Sequence, residues 1–383
     1  MSSMRLSILS SALVAAVVGF ASTLALLIAA AQALGATAEQ TASWVTAICL
    51  AKVAETLILS WRYRTPIITA WSTAGLALIG ASTGFIMEEA VGAFLLAAVL
   101  LVITGLFKPV TQLVERIPAS VSAGMLGGIL LPFVLAAAQS ARFEPSFVLP
   151  LAALFFVLRL FNPAFAVIAV LLAGVGYVLF TGGMTGFGGL EASTLVFIQP
   201  DFSWPALIGL GVPIYLVTMA SQNMPGMAVL RTDGYNPPAG PVIAVTGFFS
   251  FLSAFFGAST TNLAAITAAI CTGKDTHPDH DKRWLVAFPY AASYALFALF
   301  GASLAALFSS LPPSLIALVA GLALLGPLAN ATSIALMKED ERIPAMATFG
   351  ITASGIAFFG VGAAFWGLVA GMILLAIQKL VRT

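Results

Sequence analysis

The sequence predicts an all-α polytopic membrane protein of fourteen spans, built as two inverted halves of seven with one discontinuous span in each half. Three observations predict it. Of 383 residues, 60% are hydrophobic and 8% charged, where a soluble domain carries about a quarter charged, and apolar runs long enough to cross a bilayer recur from end to end. The basic residues fall at intervals that assign alternate turns to one side of the membrane. Two stretches half a chain apart also match without gaps.

The first element is the apolar run after Arg5, which continues to Leu34. It is too long for a signal-peptide core and reads as the first span. With Arg5 inside, the later inside turns carry Arg62, Arg64, Lys108, Arg116, Arg159 and Arg231, then Lys274, Lys282, Arg283, Lys338, Arg342, Lys379 and Arg382. These are 14 of the 16 basic residues. The outside turns receive Arg142 together with Glu39, Glu88, Glu89, Glu144, Glu191 and Asp201. Fourteen crossings with both termini cytoplasmic satisfy the pattern.

The remaining base, Lys52, lies in the second span with Glu55 three residues on, both on one helical face. Ionisable residues inside a membrane are functional candidates. Glu55 could carry a coupled proton and Lys52 could attract an anion; a mutually neutralised structural pair accounts for them equally well.

The third element, Thr65 to Gly80, reads as broken. Pro66 and the β-branched Ile67, Ile68 and Thr69 favour an extended entry, with a half-helix starting near Ser72. The tenth is broken in the same way. From Pro241 to Thr272 the chain has 32 residues to cross and return, where two helices need about 40. An extended Gly257 to Asn262 followed by a helical Leu263 to Cys271 nearly closes that gap, because extended chain rises about twice as far per residue. Extended backbone at membrane depth survives only where protein or a cavity satisfies it.

The repeat joins these breaks. "IPASVSAGMLGGILLPF" from Ile117 aligns with "LPPSLIALVAGLALLGP" from Leu311, pairing Pro118 with Pro312, Ser120 with Ser314, Ala123 with Ala317 and Gly127 with Gly321. Seven spans per half is odd, so the second copy enters from the opposite side. Paired interrupted segments in an inverted repeat point to a midplane binding site. "GFAST" at Gly19 then occupies the place of "TMASQ" at Thr218. The latter lies within "VTMASQNMPG", which concentrates Thr218, Ser221, Gln222, Asn223 and Pro225 in an apolar span. Helix–helix hydrogen bonding is the bland account of Ser221, Gln222 and Asn223; their density beside Pro225 favours a ligand-facing role.

Several classes are excluded. A net charge of +1 without a basic tract gives no nucleic-acid footprint. Cys49 and Cys271 lie in apolar segments as small hydrophobes. His277 and His280 in "KDTHPDHDKRW" sit in a segment that reads as a solvated cytoplasmic loop, so no metal is expected. No nucleophile, zinc or paired-aspartate motif suggests an enzyme, and no cofactor is implied. A channel would need a continuous polar lining, whereas the polar residues gather in two clusters.

"ITAWSTAGLAL" (Ile68–Leu78), "LVTMASQNMPGMAVLRTDGY" (Leu216–Tyr235), "NLAAITAAICTGKDTHPDHDKRW" (Asn262–Trp284) and "ITASGIAFFGVGAAFWGLVAG" (Ile351–Gly371) resemble the BenE-type benzoate/proton symporters. The resemblance implies a carrier of the bacterial inner membrane that imports benzoate with a proton. It also implies the seven-plus-seven fold of the nucleobase–cation symporter-like superfamily, with a core of residues 1–108 and 203–309 and a gate of residues 116–182 and 311–383. The ligand would lie between spans 3 and 10 with spans 1 and 8 beside it. Mapped onto this chain, that site comprises Ala21, Ser22, Thr69, Trp71, Ser72, Thr73, Met219, Ser221, Gln222, Asn223, Ser259, Thr260, Thr261 and Asn262. Nucleobase members place carboxylates on spans 8 and 10, and this chain has none there, which suits an anion but leaves the proton route to Glu55 or Lys52.

The half-helix N-termini offer the anion free N–H groups and partial positive charge. Trp71 could stack on the ring or simply pack between spans. Another small organic anion or a nucleobase is the runner-up cargo. A homodimer is one option for the oligomeric state, which the sequence leaves open.

Overall fold

A computed structural model describes residues 6–107, 118–161, 163–181, 192–356, 358 and 363–382. The turn residues Arg5, Lys108, Arg116 and Glu191, and Ile117 at the start of the first repeat, lie outside the described residues.

Helix α1 (Leu6–Ala33) leads to α2 (Ala38–Tyr63) through a reciprocal cap. The Thr37 hydroxyl accepts the Gln40 N–H at 3.1 Å and the Gln40 amide oxygen accepts the Thr37 N–H at 2.9 Å, which satisfies donors a helix start leaves open. Arg64, at φ 50°, turns the chain out of α2. A short strand β1 (Thr69–Trp71) and half-helix α3 (Thr73–Ala81) follow, then α4 (Met87–Leu106). Next come α5 (Ala119–Phe143), α6 (Pro145–Arg159) and α7 (Pro163–Phe180). The second half contains α8 (Trp204–Arg231), α9 (Ala239–Ala254), strand β2 (Thr261–Leu263) and half-helix α10 (Ile266–Thr272). Then α11 (Ala287–Leu299) bends by 67° into α12 (Gly301–Ser309), and α13 (Pro313–Met337), α14 (Arg342–Ala353) and α15 (Ala363–Arg382) end the chain.

Seven described helices are long and apolar enough to cross a bilayer alone, eight if the bent pair counts as one span. The other expected crossings fall on helices of 15 residues (α6), 18 (α7), 16 (α9) and 12 (α14) and on the two interrupted segments. At 1.5 Å per residue a helix of 15 residues is about 22 Å long, shorter than the hydrocarbon layer.

Small residues let the helices approach closely. A methyl group on Gly105 of α4 would lie 2.5 Å from the Ala244 nitrogen and the Gly240 oxygen of α9, so these two helices pack backbone to backbone. The two stretches related by sequence, α5 and α13, pack along each other, and both begin after a proline in extended conformation, Pro118 and Pro312. α14 packs on α5 and α15; α2 packs on α9, α11 and α12; and α1 packs on α3, α10 and α11.

Strands β1 and β2 pair with each other, antiparallel, in the register Thr69–Leu263, Ala70–Asn262 and Trp71–Thr261. The ladder continues with Ser72 N–H to Thr260 O at 3.2 Å and Ala264 N–H to Ile68 O at 2.9 Å. Each break thus supplies the hydrogen bonds the other needs away from water. The expected boundary moves slightly: the extended segment runs through Ala264 and α10 starts at Ile266, because the Leu263 and Ala264 N–H groups bond outside any helix, to Asn223 Oδ1 and Ile68 O.

Candidate functional site

Side chains alternate across a strand, so the paired segments present two faces. Thr69, Trp71 and Thr261 face α2; Ser72 and Thr260 face α8.

On the α8 face, Thr218 is the node. Its hydroxyl donates to Ser72 Oγ at 3.1 Å and shares a hydrogen bond with Thr260 Oγ at 2.9 Å, all three side chains being fully buried. Ser72 also caps α3, its Oγ accepting the Gly75 N–H at 3.1 Å. The first N–H groups of α3 lack intrahelical acceptors by geometry, and Thr73 beside them accepts a hydrogen bond from Gln222 Nε2 at 2.9 Å.

Gln222 reaches that point because Met219–Asn223 form a π-turn, closed by the Met224 N–H on the Met219 carbonyl. Pro225 has no N–H to give Ser221, and the widened turn that precedes it rotates Ser221, Gln222 and Asn223 sideways. A second π-turn, Leu207–Gly211, precedes Pro213 in the same way. Asn223 accepts the Leu263 N–H at 2.9 Å, and its amide lies 3.6 Å from the buried Met219 sulfur. Asn262 Nδ2 donates to Leu263 O at 2.7 Å, while Asn262 Oδ1 and Ser259 Oγ are buried without a hydrogen-bond partner among the described residues. Ala21 is half-buried on α1; the Ser22 side chain lies outside the described residues.

On the α2 face, Thr69 Oγ bonds Thr56 Oγ at 2.8 Å. Thr261 donates to Glu55 and bonds Ser250 Oγ at 3.0 Å. Thr261 therefore serves the carboxylate behind the sheet, away from α8. Trp71 is 1% exposed, donates Nε1 to Gly19 O at 3.3 Å and packs against Phe20 with ring centroids 5.4 Å apart.

Lys52 and Glu55 are both fully buried but do not pair: among the described residues no carboxylate lies within 4 Å of the ammonium. Lys52 Nζ sits 3.3 Å from the Tyr294 ring centroid, 5.4 Å from that of Trp71 and 5.5 Å from that of Tyr290. The second Glu55 oxygen has no hydrogen-bond partner among the described residues.

A crevice of about 600 Å³ runs from Met219, Ser221 and Asn223 between α8 and helices α5, α13 and α15, with Arg231 and Lys338 in its wall.

The segment read as a solvated loop is folded. Arg283, 6% exposed, donates to His277 O at 2.7 Å and Thr272 O at 2.8 Å, and Thr272 donates to Asp233. Tyr235 stacks on His280 at 3.9 Å and donates to its carbonyl at 2.8 Å. Burial pushes the Tyr235 phenol up to about 12, so it stays a donor. The carbonyls at the end of α10 need donors, and a buried guanidinium supplies them, so the charged motif clasps α8 to α10. Among the described residues no group of three His, Cys, Asp or Glu gathers to hold a metal.

Sequence reasoning passed over Thr56, Ser250, Tyr290 and Tyr294 and gave Thr218 no role in the site. Tyr290 and Tyr294 carried a usable signal, two phenols one helical turn apart in an apolar span.

Interrupted helices that cross inside a multi-pass bundle, lined with neutral donors and served by a crevice, define a membrane transporter. The comparisons agree on the class. Residues 2–377 match the BenE family, described as benzoate membrane transport protein. The chain is 38% identical over 369 residues to the inner membrane protein YdcO of Escherichia coli K12 (96% of this chain, 94% of that one). It is 36% identical over 361 residues to the benzoate membrane transport protein of Acinetobacter baylyi (94% and 92%). In fold it resembles SLC26A9, with TM-score 0.69 and 12% identity over 98% of this chain, although it spans only 66% of that protein's length. The transmembrane domain of the cyanobacterial bicarbonate transporter BicA matches at TM-score 0.63 and 15% identity (96% and 97%). The chain belongs to the BenE benzoate membrane transport family, whose members are transporters and not enzymes.

Proposed function

We propose that the chain is a secondary carrier that imports benzoate, or a similar small aromatic carboxylate, with a proton across the bacterial inner membrane by alternating access. The observation that carries this reading is the crossing itself: the N-terminus of α3 and the π-turn of α8 meet at Thr73 and Gln222, and among the described residues no carboxylate bonds to this face. Backbone N–H groups and the helix dipole attract the carboxylate. The printed name of the Acinetobacter relative supports benzoate as the cargo.

In this reading the fourteen crossings form two inverted sets of seven. Residues 1–108 and 203–309 make the moving core, and residues 116–182 and 311–383 the gate. The crevice between α8 and α5, α13 and α15 lies on their boundary. Arg231 and Lys338 in its wall support a cytoplasmic opening, and in this reading both chain termini lie on that side. The half-buried Ser221 lies at its inner end, and Glu55 behind the sheet takes the proton.

The test uses purified protein in proteoliposomes. Benzoate, and not nucleobases, should raise the thermal stability of the protein, and internal unlabelled benzoate should accelerate entry of labelled benzoate. Stabilisation by nucleobases alone would reassign the cargo, and entry without acceleration would make the protein a channel.

A further inference from the structure

Lys52 is a buried amine with no carboxylate within 4 Å among the described residues. Its ammonium lies over the Tyr294 ring, with Tyr290 and Trp71 at the sides. Ring faces attract a cation but carry no formal charge, so the cage holds Lys52 in place without a contact ion pair. Glu55, one turn along α2, is held separately by Thr261 and keeps one oxygen without a hydrogen-bond partner among the described residues. The other titratable groups around the pair are Cys49 on α2, Cys271 on α10 and the phenols Tyr290 and Tyr294 on α11, types whose ordinary values lie above 8 and which are uncharged at neutral pH. Trp71, the ring shared with Lys52, directly precedes Ser72, the cap of α3. Lys52 therefore lies on the α2 side of the strand whose next residue, Ser72, turns to the α8 side where the anion is proposed to bind.

We infer that Lys52 is the fixed positive charge of the transport site and that it makes the anion and the proton on Glu55 bind as a pair. The inference rests on the carrier reading above and names the residue that sets its coupling. With Lys52 charged and Glu55 ionised, the empty site is neutral. A proton alone makes it +1, an anion alone makes it −1, and both together return it to neutral. An uncompensated charge is strongly disfavoured away from water, so only the empty and the doubly loaded site cross readily. One anion then moves with one proton and no net charge.

The experiment compares wild type, Lys52→Met and Lys52→Arg, full-length, in proteoliposomes and in a binding assay with benzoate and its uncharged isostere benzamide. Wild type should take up benzoate at a rate that does not respond to an imposed membrane potential. Lys52→Met should lower benzoate affinity at least tenfold while leaving benzamide binding unchanged, and Lys52→Arg should recover part of the preference. A structural role for Lys52 would weaken both ligands together. An unchanged benzoate-to-benzamide ratio in Lys52→Met, or potential-driven uptake by wild type, would overturn the inference. Should neither variant fold, the wild-type potential test decides alone. If wild type binds no benzoate at all, it is the cargo assignment that fails, a separable result.

Discussion

Replacing Thr218 with valine removes one hydroxyl from the centre of the molecule and almost no volume. The hydroxyl links α8 to both interrupted segments, at 3.1 Å to Ser72 Oγ and 2.9 Å to Thr260 Oγ. Hydrogen bonds between membrane helices average about 0.6 kcal/mol and reach about 1.7, so the two bonds contribute roughly 1–3 kcal/mol. The partners are not left alike. Ser72 Oγ keeps its bond from the Gly75 N–H, whereas the Thr260 hydroxyl, fully buried, has no other hydrogen-bond partner among the described residues. Stranding it adds about 1–3 kcal/mol, and Thr218→Val should cost about 2–6 kcal/mol in all. Thr260→Val in the same background should recover part of that, because the stranded group is gone. Unfolding in mixed detergent micelles, run as a double-mutant cycle, should give a coupling of about 1–2 kcal/mol. Strictly additive costs, or a Thr218→Val protein within about 0.5 kcal/mol of wild type, would refute Thr218 as the node.

Asn223→Ala strands the buried Leu263 N–H and should destabilise the protein by about 1–3 kcal/mol, read in the same micelle assay. Gly105→Val places a side chain 2.5 Å from the α9 backbone, and fluorescence size-exclusion should show loss of the folded peak. Glu55→Gln should abolish accumulation driven by a pH gradient yet retain benzoate exchange, measured by counterflow; unchanged accumulation would move the proton elsewhere. Neutralising Arg231 and Lys338 together should raise the KM for benzoate presented from the cytoplasmic side, most clearly at low salt, while KM from the other side stays the same.

Much of the fold is legible in the chain because its signals are local. Arg5 and the apolar run to Leu34 mark the first helix, which the structure places at Leu6–Ala33. Pro66 with its β-branched neighbours marks an extended entry, and Ser72 caps the half-helix that follows. Pro225 explains why the turn before it widens. Less of the site is legible. Thr261 and Trp71 were expected beside the cargo, but they turn toward α2, where Thr261 meets Glu55 and Trp71 meets Lys52. Charge composition was only a partial guide at "KDTHPDHDKRW": Lys274, Asp275, Asp281 and Lys282 are exposed as in a solvated loop, yet a buried Arg283 closes the segment onto α10.

The sequence by itself determined that residues 65–80 and 257–271 cannot run as plain helices, since proline, β-branched residues and a shortage of length act within a few positions. Only the tertiary structure decided which side chains those breaks present to which neighbour. Two strands three residues long can pair in several registers, and a slip of one residue exchanges every side chain between the faces. The register Trp71–Thr261 is fixed from outside the strands, by Thr218 and Asn223 on one side and Thr56 and Glu55 on the other. Those partners lie up to 206 residues away along the chain, and no local pattern records so distant a neighbour.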